Sequence, residues 1–358
     1  MRTKIVSIIV CGWLLLAVSI GCGCGQDPAA GQETKTDEQE VIRHIETLGG
    51  EHAGSPVELV EFYFRKLGEN DLEPLKRLSQ LRTFAIGWST IPDAGLKHVE
   101  GMAGLKRLAI TFVEISDSGL EHLKGLTNLA ELQIVGARIT DDGLENLKAL
   151  TGLQRLAVAH CKITDAGLIH LRALTNLEWL SLTGTEVKGV GFVHLKPLTK
   201  LTGLSLAEAA STGVGMEHFP ALTELQLQDS QLNDAGLEHV KGLTNLERLN
   251  LSGTQVSDEG LQHLKNLTKL RYLNLDETRV SGPGLKHLRG LANLEELFLR
   301  DTQVDDAGLN SLHSLSKLAW LTIGSPRVTD AGVAEFRKAL PDCGISRWSG
   351  GDAPPLEK

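Results

Sequence analysis

Apolar residues recur in a fixed order along most of the chain. A motif of three apolar positions, the second three and the third five residues after the first, begins at Leu105, Leu129, Leu153, Leu177 and Leu201, each 24 residues apart. After one step of 21 to Leu222 it resumes at Leu246, Leu270, Leu294 and Leu318, again at 24. Stepping backwards reaches Leu81, with Phe84 and Ile86 in register, and then Val57, with Val60 and Phe62. Twelve units therefore run from residue 57 to about 341. Side chains alternate along a strand, so the second and third apolar positions share one face of a short strand. The residues between them share the other.

Each strand leads into a segment like Val328–Val333, Val-Thr-Asp-Ala-Gly-Val. Thr, Ser or Asp at this point accepts the amide hydrogens left over at a helix start. Segments such as 260–267 follow, with leucines at three-residue intervals that make one inward face. A period of roughly 20–29 residues with this spacing is the signature of leucine-rich repeats. The predicted fold is an α/β right-handed leucine-rich-repeat solenoid, a horseshoe with a parallel concave sheet and convex helices. Thr185, Thr254, Thr278 and Thr302 share a column with Cys161 and are expected to bond the turn backbone. In the short unit 201–221 the three missing residues are expected to come from the turn after the strand, at Ala209–Gly213.

The ends divide as follows. Residues 1–22 read as a signal peptide: Arg2 and Lys4 precede an uncharged run from Ile5 to Ile20 that is too short for a spanning helix. Its end, Ser19-Ile20-Gly21-Cys22, resembles a bacterial lipobox, which implies lipidation at Cys22; simple cleavage and an uncleaved anchor are the alternatives. Residues 23–36 read as a flexible tether and 37–56 as an N-terminal helical cap, with Val41, Ile45 and Leu48 on one face. The repeats and a C-terminal cap fill 57–345, and 346–358 read as a tail. The implied location is the cell envelope, after export, held to a membrane by lipid.

Composition narrows the function. With 41% hydrophobic and 23% charged residues the chain is globular, and a net charge of −9 with 4% aromatics argues against nucleic acid. Cys161 and Cys343 are separated by more than seven repeats, so no disulfide joins them. No Gly-x-Ser-x-Gly elbow, phosphate loop or His-Glu-x-x-His occurs, so no catalytic residue, metal or cofactor is assigned. A histidine column at His98, His122, His170, His194, His239, His263 and His287 is expected to face solvent from the convex side, with no recurring acidic partner.

The concave face carries the candidate site. One outward column reads Arg107, Glu131, Arg155, Trp179, Gly203, Glu224, Arg248, Tyr272, Glu296, Trp320, in which opposite charges are expected to form ladders. The next column is small at Ala85, Ala109, Ala157 and Ser181 and grows larger at Gln226, Asn250, Asn274 and Phe298. Arg248, Asn250, Tyr272, Asn274, Asp276, Glu296, Phe298, Arg300 and Trp320 are therefore assigned to a protein or peptide partner, since aromatics and Arg are enriched in interface hot spots. The function expected is a non-catalytic protein-binding scaffold. A structural envelope protein binding itself or cell-wall polymer is the alternative, and an adaptor in a ligase-like complex is a third.

The repeats also resemble a family. Units of the form Leu-Thr-Asn-Leu-x-x-Leu-x-Leu-x-x-Thr-x-Val-Thr-Asp-Ala-Gly-Leu-x-His-Leu-Lys-x-Leu are similar to leucine-rich-repeat proteins of planctomycete bacteria. They are similar, too, to the cysteine-containing repeats of ubiquitin-ligase substrate receptors. The resemblance covers 57–341 and implies the scaffold more than any partner.

Overall fold

The computed structural model describes residues 33–347, and side chains from residue 37 onward. Cys22, the signal segment and residues 23–32 of the tether lie outside the described residues.

Among the described residues, fourteen strands form one sheet in sequence order. They are β1 (Glu51–Ala53), β2 (Leu59–Tyr63), β3 (Thr83–Gly87), β4 (Arg107–Thr111), β5 (Glu131–Val135), β6 (Arg155–Ala159), β7 (Trp179–Ser181), β8 (Gly203–Ser205), β9 (Glu224–Gln226), β10 (Arg248–Asn250), β11 (Tyr272–Asn274), β12 (Glu296–Leu299), β13 (Trp320–Ile323) and β14 (Gly344–Arg347). From β2 to β14 all pairing is parallel, and β1 runs antiparallel to β2 at the open end. Equivalent motif positions lie opposite each other, so Leu225, Leu249, Leu273 and Leu297 align in one buried row. A slip of one residue would turn each row of leucines into water, which is why the register is so strictly held.

The convex side carries the expected helices, mostly as short 3-10 turns. Most repeats carry a 3-10 turn, as at Gly260–Leu264, or a four-residue α turn that tightens into one, as at Asp117–Leu120 and Glu121–Leu123. Only the last repeat has a long helix, Asp330–Ala339. The leucine spacing explains it. Residues three apart eclipse on a 3-10 helix but drift by about 60° on an α-helix. Leu261, Leu264, Leu267 and Leu270, all fully buried, need the tighter winding.

Carboxylates tie many of the repeats to the next. Asp117 accepts from the N–H (2.9 Å) and hydroxyl (2.6 Å) of Thr140, Asp141 does the same for Thr164, and Asp234, Asp258 and Asp306 repeat the contact further on. The glycine of the Asp-x-Gly-Leu segment makes room for it: a Cβ on Gly143 would lie 2.2 Å from Asp117 Oδ1. The Thr column works within a repeat, with Thr185, Thr254, Thr278 and Thr302 each donating to the carbonyl three residues back. Asn128, Asn176, Asn245 and Asn293 donate to carbonyls of the preceding repeat.

The short unit loses its residues elsewhere than expected. Gly213, Gly215 and Met216 occupy the same places as Gly189, Gly191 and Phe192 one repeat earlier, so the turn is full length. Phe219 is followed directly by Leu222, whose N–H bonds the Phe219 carbonyl, and the convex 3-10 element shrinks to Met216–His218. Three residues are one 3-10 turn, so one whole turn is removed and the inward face stays in phase. Gly189 and Gly213 also replace the tying carboxylate, and both have positive φ (119° and 91°).

At the N-terminus a helix spans Glu33–Thr47, beginning inside the segment assigned to the tether, while Val41 and Ile45 cap the first repeat. Helix propensity in Glu33–Glu40 extends it past the apolar face that marked the cap. β14 likewise extends to Arg347, two residues into the assigned tail, because it completes the ladder on β13.

Candidate interaction surface on the concave face

Parallel pairing sets Arg248, Tyr272, Glu296, Trp320 and Gly344 side by side, and Asn250, Asn274 and Phe298 in the next column. Strands are about 4.8 Å apart, so neighbours in a column touch. The Arg248 guanidinium lies 4.2 Å from the centre of the Tyr272 ring, and the Tyr272 and Phe298 rings meet at 5.2 Å, inclined by 44°. An exposed cation–ring contact is worth about 0.5–1 kcal/mol, enough to hold Arg248 flat. Burial lifts the Tyr272 phenol above its ordinary value, with Asn274 and Arg248 pulling the other way, so it stays neutral near pH 7.

Other assigned residues play a different part. Asn274 and Asp276 are buried, 9% and 3% exposed, and their polar atoms are engaged within the scaffold. Asn274 Oδ1 accepts from the Asp276 N–H at 2.8 Å, and the Asp276 carboxylate accepts from the Arg300 N–H and Nε, both at 2.7 Å. Arg300 is thereby presented at the end of β12 by a buried partner. Asn250 Oδ1 is engaged by Ser252. Trp320 lies across Gly344, where a Cβ would come within 2.7 Å of the indole. Glu296 sits half-buried between Tyr272 and Trp320. Tyr272, Phe298 and Arg248 thus form one contact group, with Arg300 and Trp320 at its edges.

Parts of the expected charge ladder turn aside. Arg107 donates to Thr83 at 3.1 Å on the preceding strand, and Arg248 stacks on Tyr272. Arg155 stands 5.4 Å from the Trp179 ring, which itself covers Gly203. Aromatic faces and a hydroxyl thus contribute to holding these guanidinium groups, and an exposed ion pair with a flexible Glu would add little.

The histidine column is also more enclosed than expected. His98 is 3% exposed, and burial, followed by Lys76 and Lys97, holds its imidazole below the ordinary value. The others are half-buried between adjacent convex turns, and carboxylates do accompany two of them: Glu100 for His122 (2.6 Å) and Glu217 for His239 (3.0 Å). Compact 3-10 turns bring neighbouring repeats closer than α-helices would. Among the described residues, no three His, Cys, Asp or Glu side chains converge as a metal would require. Burial raises the Cys161 thiol and pushes Cys343 up to about 11, so neither is a thiolate near neutral pH.

One set of residues escaped the sequence reading. The seventh residue after each repeat's first apolar position is left-handed in eleven repeats, and in the first three it is Phe64, Trp88 and Phe112. Their spacing of 24 was the available signal.

Two stretches match models of the leucine-rich repeat, residues 150–171 and 220–280. A comparison with curated proteins returns no match. Among solved structures, an internalin from Listeria monocytogenes aligns over 88% of this chain and 95% of its own, at 21% identity and a TM-score of 0.65. A leucine-rich-repeat protein from Leptospira interrogans aligns over 76% of this chain and 91% of its own, at 16% identity and a TM-score of 0.47. The internalin likeness establishes the fold.

Proposed function

We propose that this leucine-rich-repeat protein is a binding scaffold without chemistry of its own, which takes a protein or peptide partner on the concave face of its last four repeats and is tethered to a membrane of the cell envelope through Cys22. The observation that carries the reading is the Arg248–Tyr272–Phe298 group, flanked by Arg300 on its buried Asp276. Apolar rings, a neutral phenol and two guanidinium groups are held on a rigid sheet, so little side-chain freedom is lost on binding. Twelve strands at about 4.8 Å make a surface some 50–60 Å long, ample for a standard interface. The mixture of apolar anchors and charges suits a polypeptide better than a uniform polymer. Affinity for a captured partner tests it: Tyr272→Ala and Phe298→Ala should each weaken binding by about 1–3 kcal/mol. Unchanged affinity in both would refute the assignment. For the tether, wild-type chain lacking acyl mass and released from membranes would refute Cys22 as the anchor.

A further inference from the structure

Phe64 (φ 58°), Trp88 (φ 45°) and Phe112 (φ 54°) fill the left-handed column in the first three repeats; later repeats place Gly, His, Glu or Asp there. Bulky side chains are rare in that conformation and carry a conformational cost, so the fold itself gives no reason for three aromatics. The rings stack. Phe64 and Trp88 lie 5.7 Å apart at 18°, and Trp88 and Phe112 4.8 Å apart at 23°. Phe112 rests on Gly136, where a Cβ would come within 2.7 Å of its ring, and the Tyr63 ring leans on Trp88 at 6.5 Å. Ring edges therefore face solvent along one rim, with Phe64 71% and Trp88 37% exposed.

Charge beside the rim is basic at its open end. Arg65 and Lys66 follow Phe64 directly and are exposed, while Glu114, two residues after Phe112, is held by Arg138 at 2.9 Å. Aromatic bodies with Lys and Arg alongside are the composition of a membrane–water interface, where rings enter the headgroup layer and the cations stay with the phosphates. Chain length fits as well. Arg65 Nε donates to the Gly49 carbonyl at 2.7 Å, just beyond the Glu33–Thr47 helix, whose 15 residues span about 22 Å. The ten residues between Cys22 and Glu33 reach up to about 35 Å when extended, so a lipid on Cys22 and the rim can meet one bilayer surface.

The geometry points to the Phe64–Trp88–Phe112 rim as a lipid-binding surface that lays the first repeats on the bilayer. Its orientation at a membrane rests on the proposed tether; its affinity for lipid does not. The test is flotation of the chain from residue 23 onward with phosphatidylcholine vesicles doped with phosphatidylglycerol, so that neither an acyl group on Cys22 nor the Ile5–Ile20 apolar run contributes. Phe64→Asn with Trp88→Asn is the variant, since Asn tolerates the left-handed conformation and the fold should persist by circular dichroism. Vesicle partition should fall about tenfold in the variant, equivalent to about 1.4 kcal/mol. Equal partition of the two chains, or no partition of either, overturns the rim assignment, as does a rim that captures only a polypeptide. Acyl mass on wild-type Cys22, measured separately, decides the tether independently of this result.

Discussion

Replacing Asp117 with Ala removes one rung of the carboxylate ladder without touching the leucine core. The side chain accepts from the Thr140 N–H at 2.9 Å and hydroxyl at 2.6 Å. Hydrogen bonds to an ionised group contribute about 1.5–3 kcal/mol each when the partner is left unsatisfied, but both ends here are half-buried and water recovers part of the loss. A net cost of about 2–3 kcal/mol follows. Asp117→Asn keeps an acceptor for the Thr140 amide and should cost about half as much. Asp142 is the control: it is exposed, in the position next to the equivalent Asp141, and Asp142→Ala should stay within about 0.5 kcal/mol of wild type. Urea unfolding followed by circular dichroism gives the ordering. Solenoid stability is a sum of repeat and nearest-neighbour terms, so hydrogen exchange should rise first at the junction of repeats three and four. If Asp117→Ala were no worse than Asp142→Ala, the ladder would have no role in joining repeats.

Acid should act on the same ladder at Asp93. Burial alone would raise its carboxyl, but the Ser116 and Ser118 hydroxyls and the Ser116 N–H outweigh it and hold the value below 3.8. A depressed carboxyl stabilises above its unfolded value and loses that contribution as pH falls through the folded one, so Asp93→Asn should flatten stability against pH below about 4. Buried His98 has the same sign: its contribution is full above 6.5 and is lost as pH falls through its lowered folded value, so His98→Gln should flatten the fall below pH 6.5. The shortened repeat should open first in native-state hydrogen exchange, with amides of 213–219 exchanging faster than the equivalent 258–264; equal protection would show that one lost turn and two missing carboxylates cost nothing.

The strands were the legible part of the sequence. Alternation around each Leu fixes register, and equivalent residues pair strand to strand from Leu59↔Thr83 onward. Leucines at intervals of three were visible as well and marked the convex helices, and a helix of three residues per turn is the winding that keeps Leu261, Leu264 and Leu267 on one face. The deletion at 201–221 falls in the convex element rather than the turn after the strand, because three residues are one 3-10 turn and their loss keeps the inward face in phase. At the candidate site, column membership came from periodicity, which placed Tyr272 and Phe298 correctly as neighbours. Periodicity says nothing of what lies beneath: Asp276, in an outward position, is held under Arg300 by two hydrogen bonds that its carboxylate accepts, while its amide donates to Asn274 Oδ1. The aromatic rim was missed because its residues fall after the strand, where alternation no longer assigns a face.

Retention of a polypeptide from envelope extract on the immobilised chain, compared with the Tyr272→Ala, Trp320→Ala double variant and with Lys265→Ala on the convex side, addresses the concave-face assignment directly. Neither aromatic side chain enters the leucine core, so all three chains should melt alike. A partner should be retained by wild type and Lys265→Ala and lost from the double variant. A partner lost only from the convex variant would contradict that assignment.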